Sequence, residues 1–146
     1  MTKKIIASLF TVAVVLACTP RPSFADEKKT PLEEQMSVMN KAFKTLKKQV
    51  ADASKKDANA ELVATMKKSA IASKDLVPEK AKEVPEKDRA KFVEEYKGAL
   101  DKLIAGIDSL DKAVRDGNAD ATKAAIEDLT QQKGDGHKKF QKDEEK

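Results

Sequence analysis

Two residues far apart in the chain, Met36 and His137, carry side chains that could bind a metal together. His137 is the only histidine, and Met36 lies near the start of a periodic apolar segment. A thioether sulfur and an imidazole nitrogen both suit soft or borderline metal ions. Each residue alone has a commoner role, because a methionine in an apolar stripe usually packs and a histidine near a helix C-terminus is usually partly exposed. Their chemistry therefore depends on whether the fold brings them together.

The opening of the chain is predicted to be an export signal and not part of the fold. Two lysines precede an uncharged, largely apolar run at 5–17, which is shorter than the roughly 20 residues that span a bilayer. The small-x-small pattern of residues 23–25 predicts cleavage after Ala25, which is the interpretation we favour. The alternative is that residues 15–18 form a lipobox, in which case Cys18 would carry a lipid. We expect no stable membrane insertion of the remaining domain.

The remaining domain, residues 26–146, is close to electrically neutral. The whole chain has 29 basic and 25 acidic residues, and the signal would remove Lys3, Lys4 and Arg21, which leaves 26 against 25. No concentrated basic stripe of the sort that binds nucleic acid is apparent, so nucleic acid is not an expected partner. Because the only cysteine, Cys18, leaves with the signal, an apolar core must hold the domain together without disulfides.

The domain is predicted to be all-α, since its apolar residues recur at helical spacing and its prolines lie at the start of a periodic segment or between two of them. Thr30 can cap the first helix, Pro31 suits its first position, and Glu33 can complete a capping box. The helix then carries an apolar stripe that must be buried, which consists of Leu32, Met36, Met39, Phe43, Leu46 and Val50.

Three further helices follow, and the sequence places them at about 58–76, at about 88–116 and from 119 onward. A connection at 77–87 contains two prolines and breaks the helical pattern. Only Gly117 and Asn118 separate the last two helices, and Gly117 lies where a left-handed cap is needed. Four amphipathic helices with mostly short connections predict an antiparallel up-down-up-down four-helix bundle.

In such a bundle the first and last helices run antiparallel, so the start of the first lies beside the end of the last. Met36 is six residues past Thr30, about 9 Å along the axis at ~1.5 Å per residue, and His137 lies a comparable distance before the charged tail. His137 follows Leu129 by eight residues and precedes Phe140 by three, which predicts that it is on the inward face. A buried imidazole opposite a thioether is a six-coordinate haem ligand set, which suits electron transfer.

The residues around both positions form a wider pattern. In the first helix the segment Leu32-Glu33-Glu34-Gln35-Met36 is followed by Asn40. The second half contributes Leu103, Ile107-Asp108, Gly117, Ala124-Ala125, Glu127, Leu129 and His137-Lys138-Lys139-Phe140. Together they resemble the cytochrome b562 family over nearly the whole exported domain, with the loosest likeness in the second helix and in the longer connection after it. The resemblance implies that Met36 and His137 are the two axial ligands of a haem.

The implied cofactor is one non-covalent b-type haem. The related cytochromes c-prime attach haem through a Cys-x-x-Cys-His motif, and those cysteine positions are here Lys133 and Gly136, so covalent attachment is excluded. Lys133 could pair with a haem propionate. The other residues expected to contact the haem are Met39, Phe43, Met66, Tyr96, Leu100 and Phe140.

Gly134 and Gly136 leave two interpretations of the last helix open. Each glycine in a helix costs ~1 kcal/mol relative to alanine, so the helix could fray near His137. Alternatively, the two small residues make room for the porphyrin.

The leading hypothesis is a periplasmic electron-transfer protein, which we expect to be a monomer with haem and unidentified redox proteins as partners. We do not expect an enzyme, because iron with both axial positions filled has no open site and no nucleophile–base pair appears elsewhere. One alternative is a haem-free periplasmic bundle that acts as a binding or chaperone-like stress protein. Another is copper binding by Met36, Met39 and His137.

Overall fold

A computed structural model describes residues 29–142, so the predicted export signal and its two possible processing sites lie outside the described residues. Within residues 29–142 the chain forms four α-helices and two short 3-10 turns, and no strand. The helices are α1 (Pro31–Gln49), α2 (Lys56–Ser73), α3 (Glu86–Asp116) and α4 (Ala119–Phe140), and the 3-10 turns are Ala53–Lys55 and Glu79–Lys82. The all-α prediction is confirmed.

The helices pack in sequence order as an antiparallel bundle. α1 packs along α2, α2 along α3 and α3 along α4. Ion pairs show the antiparallel direction of α2 and α3, because Lys67 pairs with Asp108 whereas Lys74, further along α2, pairs with the earlier Asp101. The backbones of α1 and α4 approach each other much less closely than those of the three successive pairs. The predicted up-down-up-down four-helix bundle is confirmed.

α1 begins where its capping residues predict. The Thr30 side-chain oxygen accepts a hydrogen bond from the N–H of Glu33 at 3.2 Å, and the Glu33 carboxylate accepts one from the N–H of Thr30 at 2.7 Å. Pro31 takes the first helical position, where a backbone N–H would have no acceptor within the helix, so the absence of this group in proline costs no hydrogen bond. This cap fixes the end of the bundle at which Met36 lies.

The bounds of α2 differ from the prediction of about 58–76. The Asp52 carboxylate accepts a hydrogen bond from the N–H of Ser54 at 3.0 Å and starts the 3-10 turn that leads directly into α2. At the other end the N–H of Leu76 bonds to the carbonyl of Ser73 at 3.2 Å, in a tight turn ahead of Pro78. A proline disfavours helical conformation in the residue before it, so the apolar residues 76 and 77 belong to the connection.

α3 begins two residues earlier than predicted, because Pro85 itself supplies the first carbonyl acceptor. The N–H of Asp88 bonds to that carbonyl at 2.9 Å. The guanidinium of Arg89 donates to the carbonyl of Ala81 at 2.9 Å and so ties the second 3-10 turn to α3. The predicted turn between α3 and α4 is confirmed, since Gly117 has a φ of 67° and Asn118 accepts a hydrogen bond from the N–H of Ala121 at 2.9 Å.

Two apolar clusters fill the interior. The central core is built around fully buried side chains of three helices, which include Leu46, Val63, Ile107 and Leu110. The end cluster consists of Tyr96, Leu100 and Phe140, with Leu32, Met36 and Phe92 packed against it. Leu103 packs against both, so the two clusters are continuous. Among the described helices, none is long and apolar enough to cross a membrane.

Leu46→Ala is expected to destabilise the haem-free protein by about 3 kcal/mol, because Leu46 is 0% exposed and its loss leaves a cavity in the central core. Urea denaturation followed by circular dichroism measures this change. Val38→Ala on the same helix is the control, with an expected change below about 0.5 kcal/mol since Val38 is 44% exposed. Equal losses in the two variants would show that the central core is not packed as described.

Candidate functional site

A single hydrogen bond sets the level of α1 against α4. The ammonium of Lys133 on α4 donates to the side-chain oxygen of Asn40 on α1 at 2.8 Å. Met36 lies four residues before Asn40, and His137 lies four residues after Lys133. Because the two helices are antiparallel, one turn back along α1 and one turn forward along α4 lead to the same level of the bundle. Met36 and His137 therefore lie at matching levels, one turn closer to the end of the bundle.

The two residues also lie on the sides of their helices that face each other. Lys139 of α4 pairs with Glu95 of α3 at 2.9 Å, so the side of α4 that carries Lys139 faces α3. Lys133 bonds to Asn40 of α1, so the side of α4 that carries Lys133 faces α1. His137 is one turn from Lys133 and shares its side of α4. On α1 the same reasoning places Met36 on the side of Asn40, which faces α4.

The space between these two sides, here called the α1–α4 gap, exists because α4 is held against α3. A Cβ at Gly106 of α3 would lie 2.9 Å from a methyl carbon of Leu129 on α4, so only glycine allows so close an approach. α1 is held against α2 instead, where the amide of Gln49 donates to the side-chain oxygen of Asn59 at 2.9 Å. The sparse contacts between α1 and α4 follow from these two attachments.

The interior side of the gap is apolar at the level of Met36. The rings of Phe92 and Phe140 pack edge to face with 5.3 Å between centroids, and those of Tyr96 and Phe140 with 5.4 Å. Leu100 is buried beside them, and Met36 packs against this end cluster. A flat apolar ligand in the gap would thus meet aromatic and aliphatic side chains in place of water.

The structure divides the predicted contact residues into two groups. Tyr96, Leu100 and Phe140 belong to the end cluster, and Met36 packs against them. Phe43 and Met66 are buried in the central core, and Met39 packs at its edge. The second group lies deeper along the bundle axis, although Leu103 connects the two clusters.

His137 is exposed, so the expectation that its imidazole is buried on the inward face is wrong in this structure. The centre of that face, in line with Leu129 and Phe140, is occupied by Lys133 and Gly136, and His137 lies toward the flank that faces α1. Gly136 has no side chain that could cover the imidazole ring of His137. Partial burial nevertheless lowers the pKa of His137, and the nearby charge of Lys133 lowers it further. Both effects favour the neutral imidazole, which is the form that binds metals.

The two glycines of α4 do not interrupt the helix. α4 continues through Gly134 and Gly136 to Phe140, and the N–H of Gln141 bonds to the carbonyl of His137 at 3.0 Å. A Cβ added at either glycine would meet open space. The sequence left open whether the helix frays at these glycines or whether they leave room for a porphyrin. In the structure the helix is intact, and the space beside both glycines is free.

Two residues of the site were not among the predicted contacts. The sequence identifies Asn40 only as part of the family pattern, whereas in the structure its side-chain oxygen accepts a hydrogen bond from Lys133. The sequence does contain a signal for this contact. Asn40 lies four residues after Met36 and Lys133 lies four residues before His137, so antiparallel helices that align Met36 with His137 also align Asn40 with Lys133. Phe92 lies on the apolar side of α3 and packs on Phe140.

A comparison with sequence profiles of protein families supplies an independent result. The profile described as cytochrome b562 matches residues 31–141, which include all four helices and both Met36 and His137. The chain belongs to the cytochrome b562 family. Membership implies a haem-binding helical bundle that transfers electrons, in agreement with the fold. A comparison with curated proteins finds no match.

Tyr96 is the only tyrosine of the chain, and burial raises its pKa from 10.0 to about 12. Its hydroxyl donates to the carbonyl of Ser73 at 3.1 Å. The ultraviolet absorbance of tyrosinate should therefore appear near pH 12 in the haem-free protein, and the stability that the neutral phenol contributes below pH 10 should be lost as the pH rises toward 12. Tyr96→Phe is the control and should show neither change; titration of the native protein near pH 10 would contradict the burial.

Lys133→Gln is expected to raise the pKa of His137 toward its ordinary 6.5 in the haem-free protein, because one of the two causes of its depression is removed. The pKa should remain below 6.5, since burial is the larger cause. Proton NMR of the single imidazole measures both values. Lys138→Gln removes the same charge on the outer side of α4 and should leave the pKa unchanged; an equal response to both variants would contradict the placement of Lys133.

Proposed function

We propose that this chain is a periplasmic one-electron carrier that holds one non-covalent b-type haem between Met36 and His137. The observation that supports it most directly is the hydrogen bond between Asn40 and Lys133, which sets the two candidate ligands at one level on facing sides of α1 and α4. The backbones of α1 and α4 are in sparse contact beside them, and the end cluster gives that side of the bundle an apolar wall.

Met36 and His137 have complementary roles in this proposal. A haem bound in the gap supplies an iron that alternates between the ferric and ferrous states. The thioether of Met36 is a soft ligand that favours the ferrous state and so raises the reduction potential. His137 is kept neutral by the depression of its pKa, so that its ring nitrogen is free to ligate at neutral pH. Its exposed position on the flank of α4 lets the ring turn toward the gap without disturbing the core.

The apolar side chains exclude water from the site. Tyr96, Leu100 and Phe140 would contact the porphyrin from the end cluster, with Met39, Phe43 and Met66 supporting them from the central core. Burial of apolar porphyrin surface stabilises the complex at roughly 25 cal/mol per Å². With both axial positions filled, no coordination site remains for a substrate, which suits a carrier and not an enzyme.

Lys133 and Gly136 define how the haem would be held. Neither can form a thioether bond, so ligation and burial alone would retain a b-type haem. Lys133 would leave Asn40 and pair with a propionate, because a carboxylate is a stronger acceptor for an ammonium than a neutral amide is. Free space at Gly134 and Gly136 would accommodate the ring edge beside His137.

The lysines and the apolar run at the opening of the chain support the proposed export to the periplasm. Cleavage after Ala25 would release a domain of residues 26–146, and the alternative is lipidation at Cys18. Both residues lie outside the part that the structure describes. The proposed partners are haem and a periplasmic redox protein, and we propose that the carrier is a monomer.

Titration of the haem-free protein with hemin tests this proposal. The native protein should bind one equivalent and show sharp low-spin bands on reduction. Met36→Ala should convert the spectrum to high spin, and His137→Ala should weaken hemin binding by at least about 100-fold, more than the loss of an outer-sphere partner costs. Absorbance spectroscopy of both oxidation states measures these changes.

Val38→Ala is the control, since Val38 is an exposed aliphatic residue of the same helix outside the proposed haem contacts and should leave the low-spin spectrum intact. Identical spectra for the native protein and both ligand variants would refute the ligand assignment. A native protein that stays colourless with hemin would favour the haem-free binding module instead.

A further inference from the structure

Ion pairs are distributed unevenly over the four sides of the bundle. Within residues 29–142 they join α2 to α3 through Lys67–Asp108 and Lys74–Asp101, and α3 to α4 through Lys139–Glu95. Across α1 and α4, as across α1 and α2, the described residues form no ion pair, and the only polar bond between the described parts of α1 and α4 joins Lys133 to the neutral amide of Asn40. The charges on this side of the molecule are therefore not neutralised within residues 29–142.

α1 supplies most of these charges. From Gln35 to Ala51 the sequence contains four lysines, at positions 41, 44, 47 and 48, and no carboxylate. Lys47 extends over the ring of Phe43, with 5.0 Å from its nitrogen to the ring centroid, and this contact holds it against the bundle. All four lysines are exposed.

Lys44 lies one turn after Asn40, the hydrogen-bond partner of Lys133, and Lys47 lies two turns after it on the same side of α1. Burial lowers the pKa of Lys133 first, and the charges of Lys44 and Lys47 lower it further. These three residues are here called the cationic face. Glu127 on α4 lies at a similar level, but it forms no ion pair in the described structure. Repulsion of this kind persists at physiological salt only over about 8 Å, so an acidic surface brought into contact would relieve it.

The shape of the cationic face favours a macromolecular surface over a small anion. Lys133 lies at the level of Asn40, seven residues before Lys47, so the cationic face extends about 10 Å along the bundle at ~1.5 Å per residue. A row of that length matches several carboxylates on a protein surface. The exported domain as a whole is nearly neutral, so this attraction is local and would orient a partner.

We propose that Lys44, Lys47 and Lys133 form the docking surface for an acidic redox partner protein. The inference rests on the proposed function, because the cationic face borders the α1–α4 gap in which haem would bind. A partner docked there would meet the edge of the haem, and electron transfer requires such proximity. If Lys133 pairs with a propionate, Lys44 and Lys47 still present two unpaired charges to the partner.

The test compares two charge-reversal variants of the haem-loaded protein. Lys44→Glu/Lys47→Glu alters the cationic face, and Lys87→Glu/Lys102→Glu makes the same change in net charge on exposed positions of α3 outside the cationic face. The oxidation of the reduced haem by ferricyanide, a small anionic oxidant, is followed by stopped flow. We expect the second-order rate constant to fall about 10-fold in the α1 variant and much less in the α3 variant.

A second measurement uses poly-L-glutamate as a probe of acidic protein surfaces. Titration of the native protein should shift the backbone NMR signals of residues 41–48 and 130–136, and the α1 variant should lose these shifts. Shifts spread over lysines all around the bundle, or equal rate losses in both variants, would overturn the proposal. The NMR titration can also be made on haem-free protein. A protein that fails to bind hemin but retains the localised shifts would thus refute the proposed function and not the docking surface.

Discussion

The position of α4 against α3 is the constraint on which the candidate site depends. Gly106 lets Leu129 approach the α3 backbone, and the rings of Phe92 and Tyr96 pack on Phe140 at the other end of α4. α1 packs along α2 over its length, as α4 packs along α3. A bundle closed on three sides in this way leaves its fourth side open, and a hydrogen bond such as Lys133–Asn40, worth about 1 kcal/mol, bridges that side without closing it.

The open side combines an apolar interior with a charged rim. Its inner wall is the end cluster, against which Met36 packs, and its rim carries the lysines of α1. Ion pairs join α2 to α3 and α3 to α4, and among the described residues none reaches α1. The same bundle can therefore bind a flat apolar cofactor inside the gap and recognise an acidic surface at its rim, because the two functions use different atoms of one side.

Local sequence signals predicted the fold almost completely. The capping box of Thr30 and Glu33 and the turn at Gly117 and Asn118 are where the sequence places them, since both depend on interactions within four residues. The bounds of α2 and α3 were wrong by two or three residues. There the prediction followed apolar periodicity, whereas the ends are decided by backbone hydrogen bonds to Ser73 and Pro85.

The sequence by itself determined which residues share a helix face and which level of the bundle each occupies, because helical periodicity and antiparallel order fix both. It thus placed Met36 opposite His137 and identified the family. Only the tertiary structure decided how far apart the helices stand. That spacing left His137 exposed and split the predicted contacts between two clusters, and the lysines of α1 form no ion pair with any described residue. The distance between α1 and α4 is set by how each packs on its other neighbour, and no residue spacing within either helix encodes it.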